Sequence, residues 1–104
     1  MILRTLVVLI LAATLEVGGD ALVRIGLRGP AYWLAAGAIV LFAYGLLVNQ
    51  GGVDFNRLMG IYIAVFFVVS QAISLAMFRQ VPDDRIILGG GLIVTGGLVI
   101  LLMT

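Results

Sequence analysis

Two carboxylates and a guanidinium interrupt the second half of an otherwise apolar stretch, Leu15-Glu16-Val17-Gly18-Gly19-Asp20-Ala21-Leu22-Val23-Arg24. On a helix, Glu16, Asp20 and Arg24 stand at i, i+4 and i+8 and share one slowly rotating stripe. The apolar run predicts a membrane-spanning helix over about residues 3–23, whose rise of ~1.5 Å per residue carries it across ~30 Å of hydrocarbon. On that placement Glu16 lies roughly 5 Å from mid-depth, Asp20 about 10 Å out, and Arg24 at the interface. A carboxylate near mid-bilayer costs a few kcal/mol even on the lenient insertion scale of about 2.5–3.5 kcal/mol, which makes it a functional-site candidate by default. The chemistry open to such a group is to hold a proton or to neutralise a cation. The chain has no histidine, so proton exchange near neutral pH falls to a carboxylate.

Composition fixes the solvent. Of 104 residues 63% are apolar and only 11% charged, with a mean hydropathy of +1.29. Soluble domains are nearer 45–50% apolar, and a soluble protein of this size exposes most of its area to water. An integral membrane protein of a single domain, residues 1–104, follows. Met1-Ile2-Leu3-Arg4 carries one positive charge and no A-x-A cleavage site follows it, so the first apolar segment is expected to stay. Without cysteine there is no thiolate metal site and no disulfide. No cofactor is implied, and without a serine–base constellation the chain is not read as an enzyme. Six arginines and no lysine, for a net charge of +1, form no basic tract, which leaves nucleic acid without a docking surface.

The elements that must position the acidic stripe are four apolar segments: 3–23, 31–48, 58–78 and 86–103. Short polar turns separate them, each with glycine or proline, where a helix ends and the chain reverses. Links this short make sequential helices antiparallel neighbours, predicting an all-α, four-helix membrane bundle with both termini on one side. In the second segment Tyr32 and Trp33 suit the interface, while Phe42 and Tyr44 read as packing or lipid-facing aromatics in preference to cavity-lining ones. In the third, Tyr62 has Phe66 at i+4 on its face. Gln71, Ser70 and Ser74 follow at membrane depth, where polar groups want partners. Hydrogen bonding across helices is the favoured reading for these three, and lining a chamber with Glu16 is the other. The fourth carries Gly89-Gly90-Gly91 and Gly96-Gly97. Gly89 and Gly96 fall on nearly one face with Gly90 and Gly97 beside them, a stripe suited to a homodimer seam.

These residues together resemble the small multidrug resistance transporters, over almost the whole chain. Leu15-Glu16-Val17-Gly18 resembles that family's A-E-V-x-G signature, and Arg24 matches a basic residue eight beyond the glutamate. Tyr62 falls where the family places a substrate-facing aromatic, Phe78-Arg79-Gln80 resembles the F-G-Q stretch closing the third helix, and Gly89 and Gly96 coincide with glycines of the fourth-helix dimer contact. Ala64 and Phe66 stand in place of a G-x-G pair, and Asp20 in place of a small hydroxyl residue. The Arg57, Tyr62, Val65-Phe66 spacing resembles the YnfA-like branch of the superfamily. The resemblance implies an antiparallel homodimer in a bacterial cytoplasmic membrane, with one Glu16 from each subunit facing a shared chamber. Proton and substrate, a small cationic or amphiphilic compound, compete there for the carboxylates.

Three functions compete. The first is proton-coupled export of lipophilic cations or guanidinium-like compounds. The second is a lipid or lipid-linked metabolite flippase subunit, with Arg24, Arg28 and Arg57 at headgroup level. The third is a non-transporting scaffold, which gains nothing from a mid-membrane carboxylate. For Glu16 the alternative to a transport role is a structural ion pair with Arg24 or Arg57. Asp20, four residues N-terminal to Arg24, is the better-placed partner of that arginine. Asp20 therefore reads first as structural, with a substrate or proton role second.

Overall fold

The two prolines of the chain, Pro30 and Pro82, mark two reversals. In the computed structural model, which describes residues 2–103, they separate helices α1 (Ile2–Arg28) from α2 (Tyr32–Val48) and α3 (Phe55–Phe78) from α4 (Asp84–Leu102). α1 packs with α2 and α3 with α4, giving two helical hairpins that meet in sequence at Gly51-Gly52. Among the described residues there is no strand. Among them three helices, α1 from Leu3, α3 and α4, are long and apolar enough to cross a membrane. α2, with 17 residues, rises only about 25 Å. Tyr32 and Trp33, their ring centroids 5.2 Å apart, supply the interfacial aromatics at its start.

α1 runs past residue 23, where the polar turn was expected to begin, to Arg28. Gly26 does not stop it, because that glycine is a contact point. A Cβ there would lie 2.7 Å from the Leu34 backbone nitrogen. The helix ends where Pro30 drives the preceding residue out of the helical region. This extension relocates the acidic stripe. The apolar span now covers Leu3–Arg28, and its midpoint falls between Leu15 and Glu16. Asp20 then lies about 7 Å, and Arg24 about 13 Å, from the centre.

The first hairpin closes on small residues. Gly37 of α2 sits where a Cβ would be 3.0 Å from both the Gly19 carbonyl oxygen and the Val23 backbone nitrogen, and Gly19 abuts the Leu41 side chain. Lipid gives apolar helix faces no hydrophobic reason to associate, so close backbone approach and the dispersion it allows are what hold such a pair. Leu9, Ala12, Ala13 and Ala21 of α1 and Val48 of α2 are buried. The second hairpin uses the same device with larger knobs. Phe67 fills the space over Gly90, Ala64 that over Gly97, and Ile100 that over Gly60.

Helix ends are closed locally. Asp83 caps α4, its Oδ1 accepting from the Ile86 N–H at 3.0 Å. Arg79 ends α3 in the left-handed region, at φ 54°, a conformation that favours glycine. It is held there as its N–H donates to the Leu75 carbonyl and that of Gln80 to Ser74. The hydroxyls do not bridge helices as expected. Ser70 Oγ donates to its own helix at the Phe67 carbonyl, 2.7 Å away, and Ser74 Oγ donates to Gln80 Oε1 at 3.1 Å. Ser70 takes a carbonyl that its own preceding turn offers, and Ser74 reaches a side chain just beyond the end of its helix.

Candidate functional site

The acidic stripe occupies α1 as the sequence predicts. Glu16 is half-buried, and Asp20 and Arg24 are exposed. Gly19 fixes which way the helix faces, since it touches α2. Glu16, three residues earlier, is about 60° around from it, on the flank of the α1–α2 seam, whereas Asp20 and Arg24 lie about 100° and 140° away, turned off it. One stripe thus presents two settings. The central carboxylate is sheltered beside a helix pair, and the carboxylate one turn on is open at membrane depth.

On α3, Tyr62 is buried, only 4% exposed, and its ring stands 6.1 Å from that of Phe66 at 53° between planes. That is a tilted aromatic pair of the kind quadrupoles favour. Gln71, two and a half turns beyond Tyr62, is half-buried. Glu16 and Asp20 therefore belong to the first hairpin, and Tyr62, Phe66 and Gln71 to the second.

The glycines of α4 divide by role. Gly90 and Gly97 are buried under Phe67 and Ala64 of α3, whereas a Cβ at Gly89, Gly91 or Gly96 would meet nothing within 4 Å. Within the chain, one half of the stripe serves the hairpin, and the other half is an open edge. Gly37, with Ala36 and Gly45, reads from the sequence as a site of close packing, but its pairing with Gly19 does not. Its signal in the sequence was a glycine on each of two consecutive apolar segments.

Four apolar helices, with a carboxylate at the centre of the first, define an all-α integral membrane protein. The chain belongs to the YnfA/UPF0060 family. The family described as "Uncharacterised BCR, YnfA/UPF0060 family" matches residues 2–104. A UPF0060 membrane protein of Nocardia farcinica is 41% identical over 103 residues, covering 96% of this chain and 93% of that one. Another, of Clostridium beijerinckii, is 31% identical over 104 residues, with 96% and 94% covered. A third, of Staphylococcus aureus, is 31% identical over 98 residues and 91% of each. No solved structure matches the chain.

Proposed function

We propose that this protein is a proton-coupled transporter of the small multidrug resistance type, exporting small lipophilic cations or guanidinium-like compounds as an antiparallel homodimer. The observation that carries the reading is the half-buried Glu16 at the midpoint of a 26-residue apolar span. A carboxylate in so poor a solvent is stable when it carries a proton or neutralises a cation, and costly otherwise. Those two occupants exclude each other at one site, which is the requirement for exchange. Two such groups facing one another across a dimer titrate as a pair and bind the second proton or cation on different terms from the first.

Asp20 adds support. It is exposed within the same span, and an acid there is tolerated against water or another protein surface, not against hydrocarbon. A water-filled chamber lined by this side of α1 meets that need. Phe66, half-buried and backed by the ring of Tyr62, supplies an aromatic face of the type that attracts a cation, worth roughly 0.5–2 kcal/mol depending on desolvation. Gly89 and Gly96 offer the subunit seam.

Currents from reconstituted protein on a solid-supported membrane test the reading. Guanidinium and quaternary ammonium compounds are expected to evoke transient currents in the parent and none in Glu16→Gln. Folded, dimeric parent protein that gives no current with any cation, yet moves a labelled amphiphilic lipid between leaflets, would replace cation export with flipping.

A further inference from the structure

α2 carries no charged side chain, and its hydroxyls are two, Tyr32 in the first turn and Tyr44 in the last third. The contacts of the first hairpin fix what Tyr44 stands opposite. Gly26 of α1 meets Leu34, Val23 meets Gly37, and Gly19 meets Leu41. As α1 steps back from 26 to 23 to 19, α2 advances from 34 to 37 to 41, which is the antiparallel register of two helices meeting once per turn. The next step pairs Glu16 with Tyr44, and the one after pairs Ala12 with Val48. Both residues of that last pair are buried, as the register requires, Ala12 at 0% and Val48 at 3% exposed.

Direction agrees with level. Tyr44 lies seven residues beyond Gly37, within about 20° of the face that Gly37 turns to α1. Glu16 is about 60° from the face that Gly19 turns to α2, and both side chains are half-buried. Phe42, two residues earlier, is 69% exposed and lies about 160° from Tyr44 around the helix. Of the two aromatics read from the sequence as packing groups, one is on the outward face and the other is on the α1-facing side at the level of the acid.

We propose that Tyr44 is a positioning residue for Glu16, its phenol holding the carboxyl group of the same protomer in place through proton and cation exchange. The assignment rests on the exchanger reading of Glu16. A phenol hydroxyl is a donor, so it donates to the carboxylate and, once the acid is protonated, to its carbonyl oxygen. The partner is kept in each state and Tyr44 loses no proton. The other titratable groups on the two packed helices are Asp20, Arg24 and Tyr32, with Arg4 and Arg28 exposed in the first and last turns of α1. Asp20 and Arg24 are exposed, and Tyr32 belongs at the opposite end of α2.

Infrared difference spectroscopy of the reconstituted protein tests this. The C=O stretch of protonated Glu16 is identified during acid titration as the band that Glu16→Gln removes. Tyr44→Phe is expected to move that band to higher wavenumber, the direction a carboxyl takes on losing a hydrogen bond, while Phe42→Leu leaves it in place. Should Tyr44→Phe fold poorly, 3-fluorotyrosine at position 44 keeps the ring and makes the hydroxyl a stronger donor, which is expected to move the band to lower wavenumber. An unchanged band in either folded variant overturns the assignment. Proton release on adding guanidinium separates the two claims. If release depends on Glu16 while the band ignores position 44, the exchanger stands and Tyr44 only packs. If release does not depend on Glu16, the exchanger reading fails, and a band that still moves shows the pairing to be structural.

Discussion

At the scale of single residues, the informative contrast is between the two acids of α1, one turn apart in the same apolar span. Glu16 is central and sheltered by the α2 seam, whereas Asp20 is exposed and four residues before an exposed Arg24. An exposed i, i+4 pair on a helix contributes only about 0.3–0.5 kcal/mol. Asp20→Asn is therefore expected to leave substrate-driven proton release intact and to lower the thermal midpoint in detergent only slightly. Abolished release in that variant would move the coupling role to Asp20. Tyr62 is set by its ring more than by its hydroxyl, because the ring is what pairs with Phe66. Tyr62→Phe is expected to bind a quaternary ammonium cation as the parent does. Tyr62→Leu removes the ring that backs Phe66 and is expected to weaken binding by roughly 2- to 30-fold, the equivalent of about 0.5–2 kcal/mol. Equal affinity for the leucine variant by calorimetry would leave Tyr62 a packing residue.

At the scale of helices, glycine decides which faces meet, and each face can be tested separately. A methyl group at Gly37 has to displace backbone of α1, so Gly37→Ala is expected to cost about 1–3 kcal/mol, the usual range for overpacking. Gly45→Ala, whose Cβ meets nothing within 4 Å, is expected to cost nothing measurable in the same thermal unfolding series. On α4, leucine at both Gly89 and Gly96 is expected to leave the α3–α4 hairpin folded and to reduce the crosslinked dimer. An unchanged dimer fraction would take the seam off this edge. Four apolar helices, the turns at Pro30 and Pro82 and the i+4 pairing of Tyr62 with Phe66 were all legible in the sequence, because length, punctuation and helical period are local properties. The end of α1 was not, since Gly26 looks the same whether it stops a helix or admits Leu34 against the backbone. Nor was the division of Gly89-Gly90 and Gly96-Gly97 into an outer and an inner pair, which depends on where Phe67 and Ala64 arrive. The serines were misread for a related reason. Their nearest acceptors lie within their own helix or at its end, and membrane depth alone does not reveal that.

At the scale of the whole molecule, the arginines give little orienting bias. On the four-span topology expected from the sequence, Arg4 and Arg57 would lie on one side and Arg24, Arg28, Arg79 and Arg85 on the other. The positive-inside rule counts such arginines, and a difference of two is weak. Mixed insertion is expected, as an antiparallel homodimer needs. Reporter fusions to either terminus should then register both sides of the membrane, and a single orientation without a sister protein would exclude a dimer of this chain alone. Arginines added to one side are expected to collapse the population to one orientation and to reduce transport. All of this serves one claim, that Glu16 binds proton and substrate in turn. Glutamine is nearly isosteric and cheaper to bury than a charged acid, so Glu16→Gln should keep the dimer and lose the exchange. The measurement is proton release when guanidinium or a quaternary ammonium cation is added to weakly buffered, detergent-solubilised dimer. The parent is expected to acidify the solution in proportion to the cation bound, and Glu16→Gln to bind no cation and release nothing. Release from Glu16→Gln equal to that of the parent would contradict the claim.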